Sequence, residues 1–370
     1  MANRRSSALN YGWSSHLGTL LASEQNREIV FPSPRSGGPL RLWRVSLNGG
    51  TPEPITSGGQ DVYRPSIAKH GDRLTYVADA GNNNLWRIPL DASGSLAGGP
   101  SRLIYSTRYQ QDPQYSADGT RIAYSSDRSG SNEVWVSDAE GRTSTQLTHF
   151  RGPATGTARW SPDSNWLAFD TRASGNPDVF IMKSDGGALK RLTTSDAEDV
   201  VPSWSHDGKW VYFASNRTGD LQIWKVLANI GETLVNPPVQ VTHRGGFNAW
   251  ESSDAKYLYF NRSRGQPALW RMSLITGGEE PVLDSLQDWG WWTLAPQGLF
   301  FFHPAETGNK RQARLMLSDL TGQNIRELLE IPKPVTYENA ALAASPDGRY
   351  LAYTQMDQDG SDIMLIENFR

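Results

Sequence analysis

Asp61, Asp112, Asp199, Asp288 and Glu338 stand at related places along this chain, each ahead of a short apolar segment, with Asn248 and Asn339 at similar positions. Carboxylates converging on one mouth create a negative field that could hold a hard cation such as calcium through oxygen ligands, or a basic peptide segment. The alternative is local, because aspartate ahead of a strand also caps backbone N–H groups in turns. A second group is aromatic. Phe247, Trp250, Trp289, Trp291 and Trp292 could line part of the same mouth and offer a peptide or sugar a stacking surface. Equally, the unit around Trp289 lacks the usual turn and could simply repack with larger side chains.

Catalytic patterns are missing where they would matter. No serine has glycine two residues away on both sides, so no Gly-x-Ser-x-Gly elbow exists, and there is no His-Glu-x-x-His. With no cysteine there is no disulfide, thiolate metal site or cysteine nucleophile. Of the six histidines, His149 and His243 follow equivalent Leu/Val-Thr pairs, which suits a repeat better than a ligand set.

The elements that must position these residues follow from the repeat. Phe31, Tyr76, Tyr124, Phe169, Phe213, Phe260, Phe302 and Tyr353 end corresponding segments at intervals of 42 to 51 residues. That period, with several strands in each, predicts propeller blades. Every unit reads as four short strands, A to D. Strand A ends in a Ser-x-Asp-Gly turn such as Ser116–Gly119, Ser205–Gly208 or Ser345–Gly348, in which Asp bonds local backbone and Gly takes the left-handed position. Strand C carries an apolar–aromatic pair. Trp43, Trp86, Trp135, Trp224 and Trp270 recur there, and the repeat predicts them as core between blades. Arg128, Arg172, Arg217 and Arg262 recur in the B-to-C loops, as intrablade ion pairs or hydrogen bonds. Composition agrees with many tight turns: 35 Gly, 22 Pro and 14 Trp.

The expected architecture is therefore all-β: one propeller of four-stranded blades over residues 8–370, with eight blades, or seven if the first unit is demoted. Residues 1–7 are expected as a flexible tail. The last unit stops after its C strand, so Ala8–Trp13, where Leu9, Tyr11 and Trp13 alternate with smaller or polar residues, is expected to pair with Ile363–Glu367 and close the ring.

The Ser-x-Asp-Gly turn, the loops Asp127-Arg-Ser-Gly130 and Asn216-Arg-Thr-Gly219, and the Ile/Val-Trp strand resemble the TolB-like, WD-repeat-like propeller family of bacteria. The resemblance runs from about Gly18 to Phe369. The ending Gln355–Arg370 is similar to that of propellers attached to bacterial CadC-like transcriptional regulators. This resemblance implies the sensor portion of such a regulator and a periplasmic setting. Related propellers accompany serine peptidases or are oligogalacturonate lyases, which use histidines and a metal.

The reading is a non-catalytic ligand- or protein-binding module, not an enzyme and without a cofactor; the alternative is a metal-dependent lyase or hydrolase using the axial channel. Lys plus Arg number 36 against 39 Asp plus Glu, a net charge of −3 that gives no general footprint for nucleic acid. No run of eighteen apolar residues occurs, and Met1–Asn10 lacks the apolar stretch of a secretory signal. A monomer with a protein or peptide partner, or a small ligand, is expected.

Overall fold

The computed structural model describes residues 21–23, 28–33, 40–55, 62–68, 72–79, 81–152, 154–230, 236–265, 267–284, 286–305, 312–358 and 360–369. Among them every regular element is a β-strand, and the chain divides into two compact units.

The first unit comprises residues 1–81 with 359–370. One sheet orders β1 (Leu21–Ser23), β2 (Glu28–Ser33), β3 (Arg41–Ser46) and β4 (Glu53–Pro54) in sequence. The other holds β5 (Val62–Ile67), β6 (Arg73–Asp79) and the last strand of the chain, Ser361–Glu367, in the order last strand, β6, β5. Val30 and Leu42 of one sheet pack on Val62, Leu74 and Tyr76 of the other. Ala8–Trp13, the tail 1–7 and Asp61 lie outside the described residues.

The second unit, residues 82–358, is a closed ring of six four-stranded sheets. Two strands open it, β7 (Asn82–Pro89) and β8 (Ser101–Ile104). Blade 1 is β9 to β12 (Gln110–Tyr115, Arg121–Ser126, Glu133–Asp138, Ser144–Gln146). Blade 2 is β13 to β16 (Thr155–Trp160, Trp166–Thr171, Asp178–Lys183, Lys190–Arg191). Blade 3 is β17 to β20 (Asp199–Trp204, Trp210–Thr218, Asp220–Leu227, Val239–Gln240). Blade 4 is β21 to β24 (Phe247–Glu251, Tyr257–Asn261, Leu269–Ser273, Glu279–Leu283). Blade 5 is β25 to β28 (Trp292–Ala295, Gly298–Pro304, Ala313–Ser318, Arg326–Glu330). Blade 6 orders β29 (Leu342–Ala344), β30 (Tyr350–Gln358), β7 and β8, so each end of the unit supplies two strands.

Six apolar layers join the blades in a circle. Val134 meets Trp160 between blades 1 and 2, and Val179 meets Phe213 between 2 and 3. Ile223 meets Phe260, Leu269 meets Phe301, Phe300 meets Tyr353, and Leu85 meets Tyr124 back at blade 1. Burial of this kind is worth roughly 1.5–3 kcal/mol for a large apolar side chain.

Two expectations are corrected here. The ring closes with six blades, not eight or seven, because the hairpins of the second and eighth repeats exchange partners. Tyr350–Gln358 pairs with β7, whereas β31 (Ser361–Glu367) pairs with β6, Ile363 opposite Val77. Early and late strands of the second unit are joined at Asn82–Pro89, while the expected pairing of Ala8–Trp13 falls outside the described residues. The recurring C-strand tryptophans flank the interblade layers rather than fill them: Trp43 is buried, and the other four pack against the layers from a partly exposed position. Trp86, Trp135, Trp224 and Trp270 are half-buried, and Arg102, Arg128, Arg217 and Arg262 lie over their rings. The apolar residue before each one points inward: Leu85, Val134, Ile223 and Leu269 are fully buried.

The repeated turn has a simple chemistry. In Ser116–Gly119, the Asp118 carboxylate accepts from the Ser116 hydroxyl and the Thr120 N–H, and the Ser116 hydroxyl accepts from Arg121 N–H. Gly119 takes φ 71°, a conformation glycine adopts without a Cβ penalty.

Candidate functional site

The first strands lie toward the axis, where those of blades 1 to 4 touch in succession and that of blade 6 touches those of blades 5 and 1. The backbone there is distorted in a repeated way. Asp112, Thr157, Val201 and Asn248 occupy one position, four residues before the turn serine, and have φ of 56°, 49°, 52° and 46°. Each sits at a break in strand register, the mark of a β-bulge. Proline follows Asp112 and Val201, as bulges allow. The bulge turns these side chains and their backbone groups toward the neighbouring blades.

That geometry decides what the axial residues do. Asp112 Oδ1 accepts from Ala340 N–H of blade 6 at 2.8 Å, and Oδ2 from the Ser125 hydroxyl at 3.1 Å. Asp288 accepts from Glu338 N–H at 2.8 Å and Gly290 N–H at 3.0 Å. Asn248 donates to the Trp289 carbonyl at 2.9 Å. Asp170 joins the set: it accepts from the Thr157 hydroxyl and from Val201 N–H of blade 3. These carboxylates fasten one blade's backbone to the next, so the local reading of them is the better one, extended across blades. Asp199 has another task. Both its oxygens face Arg217 Nη2, at 2.9 and 2.8 Å, inside blade 3. Arg262 pairs with Glu279 at 2.8 Å in blade 4 in the same manner, as the arginine repeat predicted.

Burial governs the protonation of this group. It raises Asp288 to about 6, opposed by the hydrogen bonds from Glu338 and Gly290. It raises Asp112 and Asp170 too, against the pull of Arg159 on the first and of Thr157 and Arg172 on the second.

Sequence reasoning missed Arg159 and Asp170. Arg159 is only 1% exposed. One of its nitrogens donates to the Ala158 carbonyl, while Nε and Nη2 have no hydrogen-bond partner. Its guanidinium lies 5.0 Å from the Trp250 ring centroid of blade 4, and burial lowers its pKa to about 10, opposed by Asp112 and Asp170. It therefore stays charged at neutral pH. Only its place one residue before an A-strand tryptophan could have singled it out.

The aromatic candidates are mostly interior. Trp289, Trp291 and Trp292 are buried, and so is Phe247. Trp291 donates to the Thr336 carbonyl at 2.7 Å and Trp292 to Asn261 at 2.9 Å; Phe247 packs edge-on against Trp289. They repack the blade joints, and an exposed aromatic mouth is not formed by them. Trp250 is half-buried between Asn248 and Arg159. Exposed charge near this region comes from Glu338 and Arg264, 4.0 Å apart, with Arg264 above Phe247. His149 and His243 are exposed, next to Thr148 and Thr242, whose buried hydroxyls accept from the C-strand N–H groups of Val134 and Ile223. Among the described residues, no group of three or more His, Cys, Asp or Glu side chains is arranged to hold a metal ion. Nor, among them, is any helix long and apolar enough to cross a membrane.

A ring of four-stranded antiparallel sheets around an axis, fastened from blade to blade by side chains of the innermost strands, defines a β-propeller. Residues 97–332 match the family model of the TolB beta propeller domain, and the chain belongs to that family. An uncharacterized peptidase of Bacillus subtilis, YuxL, is 34% identical over 105 residues, 26% of this chain and 16% of that protein. The Tol-Pal system protein TolB of Anaeromyxobacter dehalogenans is 33% identical over 110 residues, 30% of this chain and 25% of that protein. The matched stretches thus span a quarter or less of those relatives. The structure of a putative TolB from Agrobacterium tumefaciens superposes with a TM-score of 0.59 at 20% identity, covering 75% of this chain and 99% of the other; that likeness concerns the fold.

Proposed function

We propose that the protein is a non-catalytic binding propeller, the sensor or interaction module of a bacterial regulatory protein, which receives a protein or peptide partner at the axial mouth. The observation that carries this reading is the use to which the axial polar groups are put. Asp112, Asp170 and Asp288 accept from, and Asn248 donates to, backbone groups of neighbouring blades, so their hydrogen-bonding capacity goes into a stiff rim. A stiff rim suits recognition, since a preorganised surface loses little entropy on binding. The charges left outside it, Glu338 and Arg264, are the groups a partner would meet first.

The test is cross-linking of the purified protein in bacterial extract, comparing wild type with Glu338→Lys and Arg264→Glu, beside turnover assays on peptide and polysaccharide panels. A defined partner lost in both charge variants is the expected result. Turnover abolished by His149→Ala or His243→Ala would overturn the non-catalytic reading.

A further inference from the structure

The turns between first and second strands lie at the other end of the innermost strands from the bulged axial residues, and one joint there differs from its sisters. Between blades 1 and 2 the joint is filled by Trp160. Its indole donates to the Gln114 carbonyl at 3.2 Å, and Arg121 stacks on its ring at 4.5 Å while donating to the Ser164 carbonyl at 2.7 Å. Between blades 2 and 3, Trp204 fills the same place and donates to the Arg159 carbonyl at 3.0 Å. Between blades 6 and 1 the tryptophan is replaced. Tyr115 stands where Trp160 and Trp204 stand, directly before the turn serine, while Tyr350, five residues after its turn serine, is aromatic like Trp166, Trp210 and Tyr257, and Arg121 is the exception at that position.

The smaller ring leaves space. A cavity of about 430 Å³ opens there, lined among others by Arg87, Tyr115, Asp118, Glu140, Asp347 and Tyr350. Tyr115 is 5% exposed, and its hydroxyl, buried in this lining, has no hydrogen-bond partner. Burying a hydroxyl without a partner costs stability, so it points to an occupant. The charges say which kind. Arg87 is engaged with Glu140 at 3.0 Å and lies over Tyr350 at 4.6 Å. Asp118 and Asp347 each use Oδ1 on their own turn, and the second oxygen of each takes no partner among the described residues. Arg121 and Arg349 act on these two carboxylates from outside the lining, while within the lining the acidic groups outnumber the single arginine, beside two aromatic rings.

We propose that this cavity binds a guanidinium group, hydrogen-bonded to the Tyr115 oxygen and to the free carboxylate oxygens of Asp118 and Asp347. The proposal is independent of a partner at the axial mouth. A guanidinium on an aromatic ring is the pairing that the chain itself uses at these joints, Arg121 on Trp160 and Arg87 on Tyr350.

Isothermal titration of the full chain with Gly-Gly-Arg-Gly-Gly, and with the same peptide carrying neutral citrulline, tests it. The arginine peptide should bind on the order of tenfold tighter, as expected of a charge-assisted contact. That preference should fall about fivefold in Tyr115→Phe and vanish in Asp118→Asn/Asp347→Asn. N-acetyl-arginine amide separates the sources: equal affinity assigns the site to a free guanidinium compound, weaker affinity to a protein side chain. No binding, equal binding of both peptides, or unchanged affinity in variants that melt as wild type does would overturn the proposal.

Discussion

Asp112 Oδ1 and the Ala340 N–H are 2.8 Å apart, although 228 residues separate them in the chain. The bond ties blade 1 to the segment that leads into blade 6, the sheet in which the two ends of the ring pair. Because Asp112 is buried, losing it strands a backbone donor away from water. Asp112→Ala should therefore cost about 1–3 kcal/mol. Asp112→Asn, which keeps an acceptor, should cost less. Urea denaturation compares the two; equal stability of both variants with wild type would remove the clamp.

Asp288 gives a pH dependence with a definite sign. Its carboxyl is raised from 3.8 to about 6 in the folded state, chiefly by burial. The folded protein then holds a proton that the unfolded chain releases, so stability is full below about pH 4 and is lost as pH rises through about 6. Asp112 and Asp170 are raised as well and act in the same direction. Asp319 works oppositely in a lower window, since hydrogen bonds from its own turn lower it to about 2. Asp288→Asn removes one titration only. The stability difference between wild type and this variant should shift by about 2–3 kcal/mol between pH 4 and pH 7.5, from the size of the pKa change. A difference flat across that range contradicts it.

Ile223 and Trp224 are adjacent but face different surroundings. Ile223 is fully buried between blades 3 and 4, whereas Trp224 is half-buried under Arg217, whose guanidinium is 4.8 Å away. Ile223→Ala should cost about 2–5 kcal/mol through lost transfer energy and a cavity. Trp224→Ala should cost less, about 1–2 kcal/mol, because solvent already reaches the ring and a cation–π contact adds only about 1 kcal/mol. Denaturation curves showing the reverse order would make Trp224, which packs against the layer between blades 2 and 3, the larger contributor.

The same pair shows how much of the fold was legible. The period, the four strands per unit and the Ser-x-Asp-Gly turns could be read, because local hydrogen bonds such as Asp118 to Thr120 depend on residues a few apart. The blade count could not. Tyr350–Gln358 and Ser361–Glu367 are adjacent in sequence and look like one hairpin, yet they pair with β7 and β6, and nothing local to either strand specifies that exchange. The axial acids were found by position, with their role open between ligand contact and backbone cap, since whether Asp288 faces a ligand or the Glu338 N–H depends on a contact 50 residues away. Arg159 escaped because a single arginine beside a strand tryptophan carries no motif.

The last strand leads to a further expectation. β31 pairs with β6 on one side, and its sheet has three strands where the described sheets otherwise have four. Ile363 is 82% exposed, and Met364 and Leu365 are exposed beside it. An unpaired apolar edge is a template for another chain, and proteins ordinarily cover or blunt it. Ala8–Trp13, with its alternating Leu9, Tyr11 and Trp13, remains the segment we expect to cover it. Deleting residues 1–13 should then promote self-association, seen as larger species in light scattering. The ring of residues 82–358 closes through β7 and β30, without that segment. Its unfolding transition should stay where it is in the full chain, so the deletion should act on association and on the first unit alone. A truncated protein that remains monomeric would leave the edge without this partner, and one whose ring also melts early would place the segment's role in the ring instead.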